Sequence, residues 1–221
     1  MPLDGTAAGF TKSILAEVAR NDAAVVAAVP DWIVLFEDTA NREIRSRYAI
    51  KTTTLTANTS SPTPQVIPLP SDYNETFVSY NQALNPPPSG YPAGPFLYPF
   101  EIKTPVQSVN DPNFYLLGMP FSYTIIGTNV VLGKTPDANY SFGFNYYAQV
   151  AGLASNPSGN WLLFYYPSLY LYGTLVHSAP FLGEDQRLQT WGALYQAALK
   201  SQQKTERDSR FSGNILRVIG L

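Results

Sequence analysis

The sequence predicts an α+β chain: N- and C-terminal helices packed as one bundle, an inserted antiparallel β segment, and an extended C-terminal arm. Three observations carry this. Apolar residues recur at helical spacing near both ends, while the middle holds β-branched runs and strict alternation. The last residues turn apolar after a polar, basic stretch, with no core of their own to enter. The predicted boundaries are 1–47 and 151–200 for the bundle, 48–150 for the β-rich insert and 201–221 for the arm.

Taking the elements in order, residues 10–47 read as helical. Thr11 is placed to cap the first helix, with Phe10 and Leu15 as a hydrophobic staple. Asn21-Asp22 interrupts, Ala23–Val29 adds a short helix, and Pro30-Asp31 opens a longer one. Ile33, Phe36, Ala40 and Ile44 form its apolar stripe; Glu37, Asp38, Arg42, Glu43, Arg45 and Arg47 form a wet face. From Tyr48 the period changes to that of a strand, and Gln65–Leu69 makes a second short one. Six prolines and two glycines between Asn85 and Pro99 predict an irregular excursion. Thr104-Pro105 is a helix start, capping residue then proline. Phe121–Ile126 and Asn129–Leu132 form a hairpin around Gly127-Thr128. Tyr140, Phe142, Phe144 and Tyr146 alternate with small polar residues as a half-buried strand. Helices then return, one from Pro167 to Pro180 and one over Glu184–Lys200, the latter with Leu188, Trp191, Leu194, Tyr195 and Ala198 on one side.

Composition excludes several classes of function. The 221 residues include no cysteine and one histidine, His177, which removes disulfide frameworks, thiolate metal sites and a histidine pair for acid–base work. No cofactor and no metal are expected. A net charge of −2 is the wrong sign for a general nucleic-acid binder. The apolar run from Trp161 to Leu182 is interrupted by Pro167 and Pro180 and reads as buried helix, with no membrane contact expected. The opening MPLDGTAAGF lacks the basic and apolar regions of a secretion signal, so a cytoplasmic origin is expected.

The chemical motifs are weak. Gly127 to Gly133-Lys134-Thr135 spaces its glycines by five residues where a phosphate loop needs four, and hairpin strands flank it. His177-Ser178 has no orienting carboxylate nearby, and Glu184-Asp185 sits at a helix start, where the dipole explains it. No catalytic residue is therefore expected, and the chain is read as no enzyme.

Partner binding leaves a clearer trace. Only 14% of residues are charged, against roughly 25% in ordinary soluble domains, and 15 tyrosines supply broad contact area with one polar handle each. An ion-poor exterior suits a chain packed against other chains. In the C-terminal arm Arg207, Arg210, Phe211, Ile215, Leu216, Arg217, Val218 and Ile219 are the candidate docking residues, apolar anchors flanked by cations.

Four segments, in order, are similar to the head–tail adaptor (connector) proteins of short-tailed, podovirus-like bacteriophages. They are Val29-Pro-Asp-Trp-Ile with Ala40-Asn-Arg-Glu-Ile; Ile67-Pro-Leu-Pro-Ser-Asp-Tyr73; Tyr123-Thr-Ile-Ile-Gly-Thr-Asn-Val-Val-Leu132; and Asn160-Trp-Leu-Leu with Tyr166-Pro-Ser-Leu-Tyr-Leu-Tyr-Gly-Thr-Leu175, running on to Phe181-Leu and Trp191. Each is a packing pattern, so their order and spacing over residues 12–200 carry the resemblance; the Pro-rich stretch 85–99 departs from it. The resemblance implies a structural virion protein at the head–tail junction, assembled in the host cytoplasm. It implies a dodecameric ring of copies of this chain, bound to the portal protein above and to tail, nozzle or fibre proteins below. DNA would pass through during genome ejection without specific binding, and the arm would reach the portal. The alternatives are another neck or tail-tube ring without portal contact and, lowest, a carbohydrate-binding or hydrolytic β module.

Overall fold

The structure, a computed structural model, describes residues 5–59, 63, 65–77, 100–183 and 186–211, with the side chains of 210 and 211 left out. The excursion 85–99, the Glu184-Asp185 pair and residues 212–221 lie outside the described residues. The chain divides after Ala49 and again after Ala148 into two compact units, the outer one built from both ends of the sequence.

In the outer unit, α1 spans Ala7–Val18 and α2 Ala23–Glu43, and after Ala148 come α4 (Trp161–Tyr165), α5 (Pro167–His177), α6 (Ala179–Leu182) and α7 (Arg187–Phe211). The cap of α1 is Thr6, whose hydroxyl accepts from the Gly9 N–H. Thr11 lies inside the helix and donates to the Ala7 carbonyl, which corrects the expected cap. Asp22 caps α2, which runs unbroken through Pro30 where the sequence suggested two helices. Pro30 and Val26 are both exposed, so the carbonyl that loses its partner to proline has access to water. At the far end of α1, the Arg187 guanidinium donates to the Glu17 and Val18 carbonyls, fastening the start of α7 there.

The core of this unit is continuous across both ends of the sequence. Phe10, Ile14 and Val18 of α1 meet Val25, Val29, Trp32, Ile33, Phe36 and Ala40 of α2, then Leu169, Tyr170 and Leu175 of α5 and Trp191 and Tyr195 of α7. Phe36 rings edge-on to Tyr170 and to Tyr195 mark its centre. Gly173 makes that centre possible, because a Cβ there would sit 2.1 Å from the Phe36 ring.

The inserted unit holds two sheets. In the first, β1 (Ile50–Ala57) and β3 (Tyr73–Thr76) flank β7 (Tyr140–Ala148), both antiparallel to it. In the second the order is β2 (Val66–Pro68), β6 (Asn129–Leu132), β5 (Ser122–Ile126) and β4 (Glu101–Ile102). The hairpin β5–β6 turns at Gly127, whose φ of 60° is the left-handed value such a turn needs. One pairing departs from the antiparallel expectation: β4 runs parallel to β5. It is followed by a helix with the predicted start, α3 (Pro105–Val109), where Thr104 and Gln107 form a reciprocal capping box. Leu55, Ile67, Phe100, Tyr123, Val130, Leu132, Phe142 and Phe144 make the core of this unit.

Two glycines give a paired test. Gly173→Ala is expected to destabilise the outer unit by about 2–3 kcal/mol through overpacking against Phe36. Gly192→Ala, in α7 with open space where the Cβ goes, is expected to stabilise it by about 0.5–1 kcal/mol. Denaturant melts of both variants check the contrast; equal effects would remove the close-approach explanation.

Candidate interaction surfaces

The inward face of α7 changes character along its length. Leu188, Trp191, Tyr195 and Ala198 occupy it first, and the same stripe continues with Gln202 and Glu206. Both are buried, Glu206 to 4% exposure. Gln202 Nε2 donates to the Arg45 carbonyl at 3.1 Å. Ser46 Oγ and the Tyr166 hydroxyl donate to Glu206 Oε1 at 2.6 and 2.7 Å, and the Arg47 backbone N–H to Oε2 at 3.1 Å. Burial opposes the charge, but these hydrogen bonds and the nearby Arg47 outweigh it and hold the Glu206 carboxyl below its usual value. The Tyr166 hydroxyl is correspondingly pushed up to about 12, by burial and then by the carboxylate. The helix therefore does not stop at Lys200, where the sequence turns polar. It runs to Phe211 because its buried polar stripe finds partners.

Beside this node Tyr48 stacks on Tyr165 with ring centroids 3.5 Å apart, and the Arg47 guanidinium donates to the Tyr48 hydroxyl at 2.9 Å. Phe164, next in line, is largely exposed. The outer side of α7 presents Lys200, Lys204 and Arg207 to solvent. Of the candidate docking residues, Arg207 is thus exposed on α7, and Arg210 and Phe211 belong to its last turn. Ile215, Leu216, Arg217, Val218 and Ile219 lie outside the described residues.

A second buried carboxylate holds the centre of the outer unit. Glu37, expected on the wet face of its helix, is only 7% exposed. Its Oε1 accepts from the Tyr170 hydroxyl at 2.5 Å and the Leu153 N–H at 2.8 Å. Burial raises the Glu37 carboxyl above its usual value despite both donors, and the Tyr170 hydroxyl rises strongly, through its own burial and then through Glu37. The residue escaped the helical pattern because it lies one position beyond Phe36, toward the edge of the apolar arc.

The motifs with catalytic appearance resolve into structure. The Gly133 N–H donates to the Ser122 carbonyl at 2.7 Å, at the end of a hairpin strand, and no helix opens there to receive a phosphate. His177 Nε2 lies 3.2 Å from Thr39 Oγ1, and burial lowers its pKa against the pull of Glu43. Its neighbour Ser178 donates to the Leu175 carbonyl and is itself fully buried. Among the described residues no group of three His, Cys, Asp or Glu side chains is placed to hold a metal ion, and no helix is long and apolar enough to cross a membrane. A shallow cleft of about 390 Å³ is lined by Lys12, Leu15, Ala16, Ala19, Arg20 and Asn21, and Arg20 in it is paired with Asp22.

The C-terminal half of α7 thus combines a buried polar network with exposed aromatic and basic surface around it, an arrangement without catalytic geometry. A family model described as SU10 adaptor protein matches residues 6–217, nearly the whole chain, and the protein belongs to that family of phage adaptors. It has a structural role as a component of the virion. Among curated proteins none matches this chain.

Glu37 yields a pH test. Its raised folded-state value means a contribution fully present below the ordinary carboxyl range and lost as pH rises through the raised value. Glu37→Gln keeps an acceptor for both donors, so its melting temperature relative to the natural protein is expected to climb as pH rises above the ordinary carboxyl range. Glu37→Ala leaves the Leu153 N–H and Tyr170 hydroxyl without their acceptor and is expected to cost about 2–3 kcal/mol at low pH and less as pH rises. Parallel melting curves for the natural protein and the Gln variant would remove the buried charge as the cause.

Proposed function

We propose that this protein is the head-to-tail adaptor of its phage: a twelve-fold ring between portal and tail that surrounds the DNA exit channel. One observation supports the reading most strongly. The helix α7 continues past the apolar core to Phe211, fastened by Gln202 and Glu206, and the sequence beyond it is Ile215-Leu-Arg-Val-Ile219. A rigid, anchored helix delivers its end at a defined place, which lowers the ordering cost when an apolar segment docks on a partner. The cations Lys204 and Arg207 along its outer side favour an acidic rim on that partner, and we assign that partner to the portal.

The remaining features agree with the role. The chain carries a net charge of −2, so DNA can pass without the phosphate attraction a basic channel would exert. Assembly takes place in the host cytoplasm, where a cysteine-free chain is indifferent to the reducing conditions. Tail, nozzle or fibre proteins bind the side of the ring away from the portal.

Removing residues 212–221 tests the docking role without disturbing Gln202 and Glu206. The truncated chain is expected to melt as the full one does and to lose capture of the purified portal in a pull-down. Truncation after Lys200 is expected to lower stability as well, since it strips both anchors. Undiminished capture by the shorter chain would reject the docking arm and favour a neck or tail ring without portal contact.

A further inference from the structure

Among the described residues, the inserted unit carries an apolar surface that no other part of the unit covers. Ile102 of β4, Val106 and Val109 of α3, then Tyr115, Leu116, Leu117 and Phe121 are between 48% and 71% exposed. They are held side by side. The Glu101 N–H donates to the Phe121 carbonyl at 3.1 Å, and the Lys103–Asp111 ion pair at 2.8 Å ties β4 to the end of α3. Thr135 straps the loop beyond, donating to the Leu116 carbonyl and accepting from the Gly118 N–H, while Lys134 Nζ lies 5.6 Å from the Phe121 ring centre. The strand β4 is also the terminal strand of its sheet.

Seven side chains of this size, half to two-thirds bare, expose on the order of 800 Å², above the roughly 300–600 Å² of a self-sufficient monomer's largest patch and about what one partner gives a standard interface. Its charges are already matched: Lys103 is paired with Asp111 and lies 3.9 Å from Glu101, and Lys134 sits over an aromatic face. The surface therefore offers no ionic handle, and its occupant must be apolar and uncharged.

We infer that this surface is the face by which one copy of the chain meets the next; the inference rests on the ring reading above. A closed ring uses two different faces of each copy. The chain supplies a second, largely apolar one: Ala23, Ala27, Pro30 and Val34 of α2, at steps of four, three and four residues, are all exposed and form a seam that Asp31 borders. Two unpartnered apolar faces on one chain satisfy each other between neighbours, and every copy in the ring then covers both.

Leu117→p-benzoylphenylalanine, incorporated into full-length protein within assembled particles, reads the occupant directly on irradiation. The expected product is a covalent dimer of this chain at twice its mass. A link to another virion protein, or an internal link to residues 78–99 at monomer mass, overturns the assignment, as does the absence of any link. The double variant Val106→Asp with Leu117→Asp provides the second measurement. Its melting curve is expected to match the natural protein, since both sites are exposed, while its incorporation into particles falls at least tenfold; undiminished incorporation overturns the assignment. Cryo-EM of the same particles separates the two failures, because a ring seen without the dimer rejects only this face, and no ring rejects the reading beneath it.

Discussion

The crossing of α2 and α5 at Phe36 and Gly173 is the constraint on which the outer unit depends. Residues from the two ends of the sequence share one core only because a helix backbone approaches a phenyl ring closely enough to exclude any side chain. The neighbouring turn adds the Glu37 carboxylate, received by Tyr170 on the same α5 and by the Leu153 N–H in the segment that returns from the insert. Close packing and a buried hydrogen-bonded charge therefore act at one place, and they are complementary. The first supplies area removed from water, the second tolerates only one arrangement of donors.

Glu206 repeats the device with the opposite electrostatic balance. Burial dominates at Glu37 and lifts its carboxyl; at Glu206 three hydrogen bonds and the Arg47 charge prevail and lower it. The difference follows from the number of donors. Glu37 receives two donors on a single oxygen, while Glu206 has both oxygens occupied.

Much of this was legible in the sequence where periodicity is strong. The alternation from Tyr140, the hairpin around Gly127-Thr128 and the Thr104 capping start all have their counterparts, because each is decided by local backbone chemistry. The α+β class followed from the same signals. Less legible were features decided at a distance. Pro30 looked like a helix start, yet its exposed face lets the helix pass through it. The two residues of β4 carry no pattern of their own and pair parallel to β5 through contacts that hydropathy cannot encode. Glu37 read as part of a wet face and Gln202 as part of a polar arm; their burial depends on hydrogen-bond partners more than a hundred residues away in the chain. The family resemblance reached the adaptor class through the order of packing segments, while the arrangement of polar partners beneath α7 had no sequence signature beyond a stripe that changes from apolar to polar.

The node at Glu206 also has a mechanical side. A tug on the end of α7 along its axis is handed, within two turns of Phe211, to the segment at Ser46 and Arg47 through bonds that share the load in parallel. Such an arrangement yields by shear, all contacts straining together, where a frayed terminus would peel one contact at a time.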